Sequence, residues 1–170
     1  SWRILLVFDG LGQGIHGSSE SAAFDALPKF PVESAASLCR LVMMQLLPSL
    51  ADASIVGFGR AVTALQRTVG DHFAPAQGGR YASPAVGEAL AWLESEGAAG
   101  VGQSSWGPTG FAILGTEHEA ERLLRRARER WPDPGRLSFM VCRGLNCGAS
   151  ILETSAETAT GRRSLFADAI

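Results

Sequence analysis

Apolar residues first cluster in Trp2 to Phe8, a β-rich WRILLVF run closed by Asp9-Gly10, and this pattern predicts a buried strand. The pattern then loosens over Gly10 to Ser21, whose Gly and Ser content predicts a flexible loop able to face a ligand. Leu38, Leu41, Val42 and Leu46 recur at helical spacing between Glu33 and Leu47, and Pro48 is expected to end that helix. A second helix is predicted from Asp52 as N-cap, with Ile55, Phe58, Val62, Leu65 and Val69 on one face and Gly70 at the C-cap position. Gly57 and Gly59 are each expected to weaken it by about 1 kcal/mol relative to Ala. His72, just past this helix, reads as a cap or packing residue.

The later signals are sharper. Ser83 as N-cap and Pro84 at the first helical position start a helix with Val86, Leu90 and Leu93 inward, closed by Gly97. Short strands are expected on either side of a Gly-rich loop that opens at Gly100. Thr116 then caps a helix over Glu117 to Arg130, with Ala120, Leu123, Leu124, Ala127 and Trp131 inward and Glu121 four residues before Arg125. Leu137 to Cys142 forms the last strand, and from Glu153 on there is no apolar period. The order strand, helices, strand, strand, helix, strand predicts an α+β sandwich of ferredoxin-like type, with an antiparallel sheet of about four strands and helices on one face.

Composition narrows the function classes. A chain of 170 residues with 46% hydrophobic content suffices for one domain with a core, or one domain and a tail. A net charge of −2 gives no reason to expect nucleic acid or an anionic membrane surface as a partner. The arginines of Glu117 to Arg130 share their helix with glutamates and read as a solvated face. Cys39, Cys142 and Cys147 form no CxxC pair, so reduced thiols are expected and a zinc site is not. No apolar run approaches the ~20 residues of a spanning helix, and the chain shows no leader pattern; a soluble, cytoplasmic protein is expected. Strand-like sequence from the second residue, without an initial Met, suggests a piece of a longer chain.

Two glycine motifs carry candidate chemistry. Gly12-Gln13-Gly14-Ile15-His16-Gly17 spells GxGxxG after a strand, but a dinucleotide site also needs a second strand ending in an acid about 20 residues on. Pro28 and Pro31 argue against a central strand there, so that reading is set aside. The loop Gly100-Val101-Gly102-Gln103-Ser104-Ser105-Trp106-Gly107-Pro108-Thr109-Gly110 is stronger. Its glycines permit close approach of a ligand, and backbone N–H groups with the Ser104, Ser105 and Thr109 hydroxyls suit a phosphate oxygen.

The run GVGQSSWGPTGFAIL, with QGGRYASP and LVMMQLLPSL upstream, resembles the C-terminal half of the β-ribofuranosylaminobenzene 5′-phosphate synthase family. That family belongs to the superfamily of galactokinase, homoserine kinase, mevalonate kinase and phosphomevalonate kinase. The resemblance spans residues 1–150 as one domain of that superfamily's C-terminal type and leaves 151–170 as a tail. It implies transfer of a phosphoribosyl group from phosphoribosyl diphosphate to a 4-hydroxy- or 4-aminobenzoate, with release of carbon dioxide and pyrophosphate, towards methanopterin-type cofactors. By the same resemblance Mg²⁺ would bridge the diphosphate. Gly102, Gln103, Ser104, Ser105, Gly107 and Thr109 would then meet phosphate, Trp106 would wall the acceptor, and Gln77, Gly78 and Gly79 would form a second edge of the cleft.

Glu20, placed in the loop after the first strand, is the one candidate base. The superfamily's phosphate loop is absent from these residues, so the resemblance implies a missing N-terminal domain of the same chain and an inactive isolated piece. A homodimer is expected from the sheet edge and apolar face such a domain would leave. Two other classes stay open: a small-molecule kinase using the loop for ATP phosphates, and a binding module with purely structural glycines. The indole in QSSWGPT favours the synthase over the kinase, whose loop has no evident need of it.

Overall fold

The computed structural model describes residues 1–145 and 147–149, so the expected tail lies outside the described residues. Four strands, β1 (Arg3–Asp9), β2 (Gly100–Gln103), β3 (Gly110–Leu114) and β4 (Leu137–Cys142), form one antiparallel sheet in the order β2-β3-β1-β4. The apolar run at the start of the chain takes a central position because it can bury side chains between two neighbours. Leu5 faces Ala112 and Val141 in register, Val7 faces Gly110 and Phe139, and neither Leu5 nor Val7 is exposed. Over this face lie α5 (Pro84–Ser95) and α6 (Glu117–Arg130), which close the core with Val86, Leu90, Leu93, Ala120 and Leu123. Both start where their caps predict: Ser83 Oγ accepts from the Val86 amide, and Thr116 with Glu119 forms a capping box.

The N-terminal helices depart from expectation. Gly10 to Ser21 is not loop throughout, since α1 (Ser18–Ala26) begins directly after Gly17. A helix thus does follow the third glycine of GxGxxG, but no parallel strand comes after it and the described sheet is antiparallel, so no dinucleotide crossover exists among the described residues. Pro48 does not end its helix either: α2 (Val32–Leu41), a π turn (Val42–Leu46) and α3 (Leu47–Ala51) run on continuously. In the π turn the Leu47 amide reaches back to the Val42 carbonyl, and Pro48, which has no N–H to place, sits at the start of the segment that follows.

This 20-residue run also corrects the expectation that no segment approaches membrane-spanning length. Val32–Ala51 has a mean hydropathy of 1.3 and is long and apolar enough to cross a membrane by length and composition. In this fold it lies against the next helix, with Gln45 Nε2 donating to the Gly57 carbonyl, and leaves Met43, Met44, Leu47 and Leu50 exposed.

Next comes α4 (Ile55–Gln77), which starts two residues later than predicted and runs on well past Gly70. Ser54, not Asp52, precedes it, and Gly70 lies inside it rather than at its end. Gly70 is there because the chain returns beside it: a Cβ would sit 2.6 Å from the Arg80 carbonyl oxygen. His72 is therefore within the helix, packed against the rings of Phe30 and Phe73. The true C-cap is Gly78, at φ 84° and ψ 9°, the left-handed conformation that glycine adopts most readily.

This helix covers the outer edge of β2. The Val101 amide donates to Thr63 Oγ1 at 2.9 Å and the Gln103 amide to Gln66 Oε1 at 3.0 Å, so side chains three apart on α4 satisfy the strand's outward donors. Those two β2 amides are therefore not free to pair with another strand.

Candidate functional site

Where α4, α1 and the loop after β2 converge they border a half-open cavity of about 220 Å³. Its apolar wall is aromatic. Phe73 from α4 meets the Trp106 ring edge-on at 4.8 Å between centroids, and Phe24 from α1 meets it at 5.4 Å and Phe73 at 5.8 Å. Trp106 is only 7% exposed, and its Nε1 donates to Glu20 Oε1 at 2.9 Å. Glu20 is thus in the first turn of α1, not in a loop, and half-buried against the indole.

The polar side of the cavity is built from glutamines. Gln103 is buried; its Oε1 accepts from the Ala82 amide at 2.7 Å, and its Nε2 donates to Gln77 Oε1 and to the Ser105 carbonyl. Gln77 in turn donates to the Arg80 carbonyl. Each amide is oriented by a partner that can only donate or only accept. Tyr81 also lines the cavity, and burial pushes its phenol above the ordinary value, so it is a neutral hydroxyl at pH 7.

The residues expected to cradle phosphate are divided by this geometry. Gly102 lies inside buried β2, where a Cβ would meet Gln66 Cγ at 2.5 Å and Phe111 Cζ at 2.6 Å. The Gln103, Ser104 and Gly107 amides are spent on Gln66, the Thr109 carbonyl and the Ser104 carbonyl, so these three do not form the anion nest read from the sequence. The reason is tertiary: the loop is tight enough to bond to itself and to α4. Ser104, Ser105 and Thr109 keep accessible hydroxyls, and Ser105, at φ 49°, faces the cavity beside Trp106. Gln77 also lines it, whereas Gly78 and Gly79 both donate to the Ala74 carbonyl and serve as the α4 cap.

Several contributors escaped the sequence reading, Arg80 and Tyr81 among them. Gln66 carried a signal, being a polar residue on the Val62 to Val69 face of an amphipathic helix. Phe24 and Phe73 carried none, because nothing local shows that two helices meet there.

Expected reduced cysteines are seen as free thiols at Cys39, Cys142 and Cys147. Among the described residues no three His, Cys, Asp or Glu side chains gather where they could hold a metal. Glu20, the one carboxylate lining the cavity, gives one of its oxygens to the indole.

Behind the loop, Asp9 at the end of β1 has a side chain only 4% exposed. Burial alone would raise its pKa, but the Ser83 hydroxyl at 2.6 Å, the Leu11 amide at 3.0 Å and Arg136 at 3.5 Å prevail and hold it below the ordinary aspartate value. A carboxyl depressed on folding stabilises the fold above its unfolded value of about 3.9, and that contribution is lost as pH falls through the folded value. Asp9→Asn should therefore lower the melting temperature at pH 7 yet flatten its decline below about pH 4. A parallel decline in both proteins would show that Asp9 does not contribute to the acid limb.

Residues 46–133 match the family described as GHMP kinases C terminal. Two curated relatives are named beta-ribofuranosylphenol 5′-phosphate synthase. The protein from Methanothermobacter thermautotrophicus is 24% identical over 152 residues, covering 89% of this chain and 44% of its own length. That from Archaeoglobus fulgidus is 28% identical over 151 residues, covering 88% and 44%. This chain therefore spans less than half the length of the curated relatives it matches. Among solved structures, homoserine kinase from Cytophaga hutchinsonii aligns with a TM-score of 0.54 at 16% identity, over 83% of this chain and 40% of the kinase. Mevalonate kinase of L. major, solved with R-mevalonate, aligns at 0.56 and 13% identity, over 83% and 42%. The two kinases share the fold, and with the family match covering more than half of the sequence, the chain belongs to the GHMP kinase C-terminal family.

Proposed function

We propose that this chain is the C-terminal half of a cytoplasmic phosphoribosyl-transferring synthase, which joins phosphoribosyl diphosphate to a 4-substituted benzoate in the making of methanopterin-type cofactors. The observation that carries this reading is the aromatic cavity beside QSSWGPT. A cavity near 150 Å³ admits benzene, so about 220 Å³ suits one substituted ring. The names of the two curated relatives support the same chemistry. The paired loop amides weaken phosphate binding by this loop in either reading, so the aromatic cavity and not the loop favours the synthase.

In the proposed reaction the ring carbon bearing the carboxylate bonds to ribose C1 as the C1–pyrophosphate bond breaks. The ring–carboxylate bond then breaks, carbon dioxide leaves, and the electron pair returns to the ring. No proton is gained or lost, so no general base is required. Glu20 serves instead to position Trp106, and Phe73 and Trp106 present the rings against which the acceptor would pack. The remaining half of the site is assigned to an N-terminal domain.

Carboxyl-labelled 4-hydroxybenzoate tests this. Release of labelled carbon dioxide should need phosphoribosyl diphosphate and a chain extended to the relatives' length, and the 170-residue chain alone should release none. Turnover by the short chain would overturn the need for a second half. ATP-dependent phosphorylation by the extended chain would replace the synthase with a kinase.

A further inference from the structure

We infer that Gln66 is the specificity-determining residue that reads the carboxylate of the aromatic acceptor, an inference that rests on the synthase reading above. Four observations converge on it. First, Gln66 Oε1 accepts from the Gln103 amide at 3.0 Å, a group that can only donate, so the other end of the Gln66 side chain is the NH₂. That NH₂ has no partner among the described residues, while Gln66 lines the cavity.

Second, the neighbouring amides already hold protein partners. Gln103 Nε2 is shared between Gln77 and Ser105, and Gln77 Nε2 is held by the Arg80 carbonyl. Third, the cavity's arginine is committed as well. Arg80 gives Nε and Nη2 to the two oxygens of Asp71 at 2.7 and 2.9 Å. Fourth, Gly102 is shaped around this side chain, since a Cβ there would meet Gln66 at both Cγ and Cδ.

The chemistry follows from a donor-only group at the polar edge of an aromatic slot. It favours an oxygen that accepts, above all an anionic one, because charge-assisted hydrogen bonds are the stronger kind. It has nothing to offer an ammonium, which can only donate. The ligand class is thus a monocyclic aromatic carboxylate, ring among Phe24, Phe73 and Trp106, carboxylate on Gln66 Nε2. A neutral amide also suits a group that must depart as carbon dioxide. A full ion pair would stabilise the bound carboxylate more than the transition state in which its charge is lost, and so slow the reaction.

Gln66→Glu is the sharp test, because it keeps an oxygen for the Gln103 amide and replaces the free NH₂ by a carboxylate oxygen. Ligand-observed NMR titration of this chain would compare 4-hydroxybenzoate with 4-hydroxybenzamide, whose own NH₂ can donate. Gln66→Glu should bind the acid at least tenfold more weakly and keep or improve binding of the amide. If that variant does not fold, the wild-type chain still decides, since it should prefer 4-hydroxybenzoate over 4-hydroxybenzylamine by tenfold or more. Unchanged acid binding in Gln66→Glu, or equal wild-type affinity for acid and amine, would overturn the role of Gln66 and leave the synthase reading standing. Equal weakening of acid and amide in a folded variant would overturn it too, making Gln66 a mere wall. A wild-type chain that binds ATP and neither aromatic probe would overturn both readings together.

Discussion

Gly59→Ala is expected to destabilise the chain by about 3 kcal/mol, at the upper end of what overpacking usually costs. In an open helix the same exchange would stabilise by about 1 kcal/mol. The sign reverses because α4 lies backbone to backbone on β2. A Cβ on Gly59 would run into the Ala99 carbonyl and come within 2.8 Å of the Gly100 nitrogen. The strand has no room to yield, as Gly100 is itself bare for the same reason, with a Cβ there falling 2.6 Å from Gly59 Cα. Moving α4 away would also stretch the Thr63–Val101 and Gln66–Gln103 hydrogen bonds. For a chain of this size the melting temperature should fall by about 6 to 12 °C. Gly57→Ala is the control. Its Cβ would meet the Ser49 hydroxyl, the end of a side chain that can turn aside, and the expected change is within about 1 kcal/mol of zero. Equal melting temperatures for the two variants would show that the helix does not ride on the strand.

Trp106→Ala should cost about 3 to 5 kcal/mol, the range for emptying a buried large aromatic. Part of that loss should be local. α1 contributes no buried residue of its own, and the contacts described for it at the cavity are Glu20 on the indole nitrogen and Phe24 against the Trp106 and Phe73 rings. Without the indole, amide hydrogens of Ser18–Ala26 should exchange faster by tenfold or more, while those of β1 and α5 slow the exchange as before. Trp106→Phe separates the two contacts, since it keeps a ring and removes the donor to Glu20. It should cost about 1 to 3 kcal/mol, the effect of losing a hydrogen bond to a charged group. Aromatic-acid affinity should fall further in Trp106→Ala than in Trp106→Phe. Unaltered exchange in α1 would show that the helix is anchored elsewhere.

How much of this was legible beforehand differs from element to element. Thr116 with Glu119, and Ser83 with Pro84, located two helix starts because a cap satisfies the backbone within a few residues of itself. Leu137–Cys142 was legible for a similar reason, as a short apolar run bounded by turn residues. At the site, Trp106, Gln77 and Glu20 were named in advance and the structure brings them to one cavity. Glu20 was reached through a loop that proved to be a helix, and its engagement with the indole could not have been foreseen from residues 86 positions apart.

The sequence by itself determined the strands, the capped helices, the antiparallel α+β class and the loop around which the site forms, because those rest on groups close together in the chain. Only the tertiary structure decided what the glycines and amides are for. Gly70 looked like a helix end and is a crossing point for Arg80; Gly59 looked like a weakness and is the seat of β2; Gly102 and its neighbours looked like a phosphate nest and shape the place of Gln66. A glycine's missing Cβ and an amide's single proton carry the same local signature whether they meet solvent, ligand or protein. Which of these they meet is settled by the packing of α4 on β2 and of α1 on Trp106.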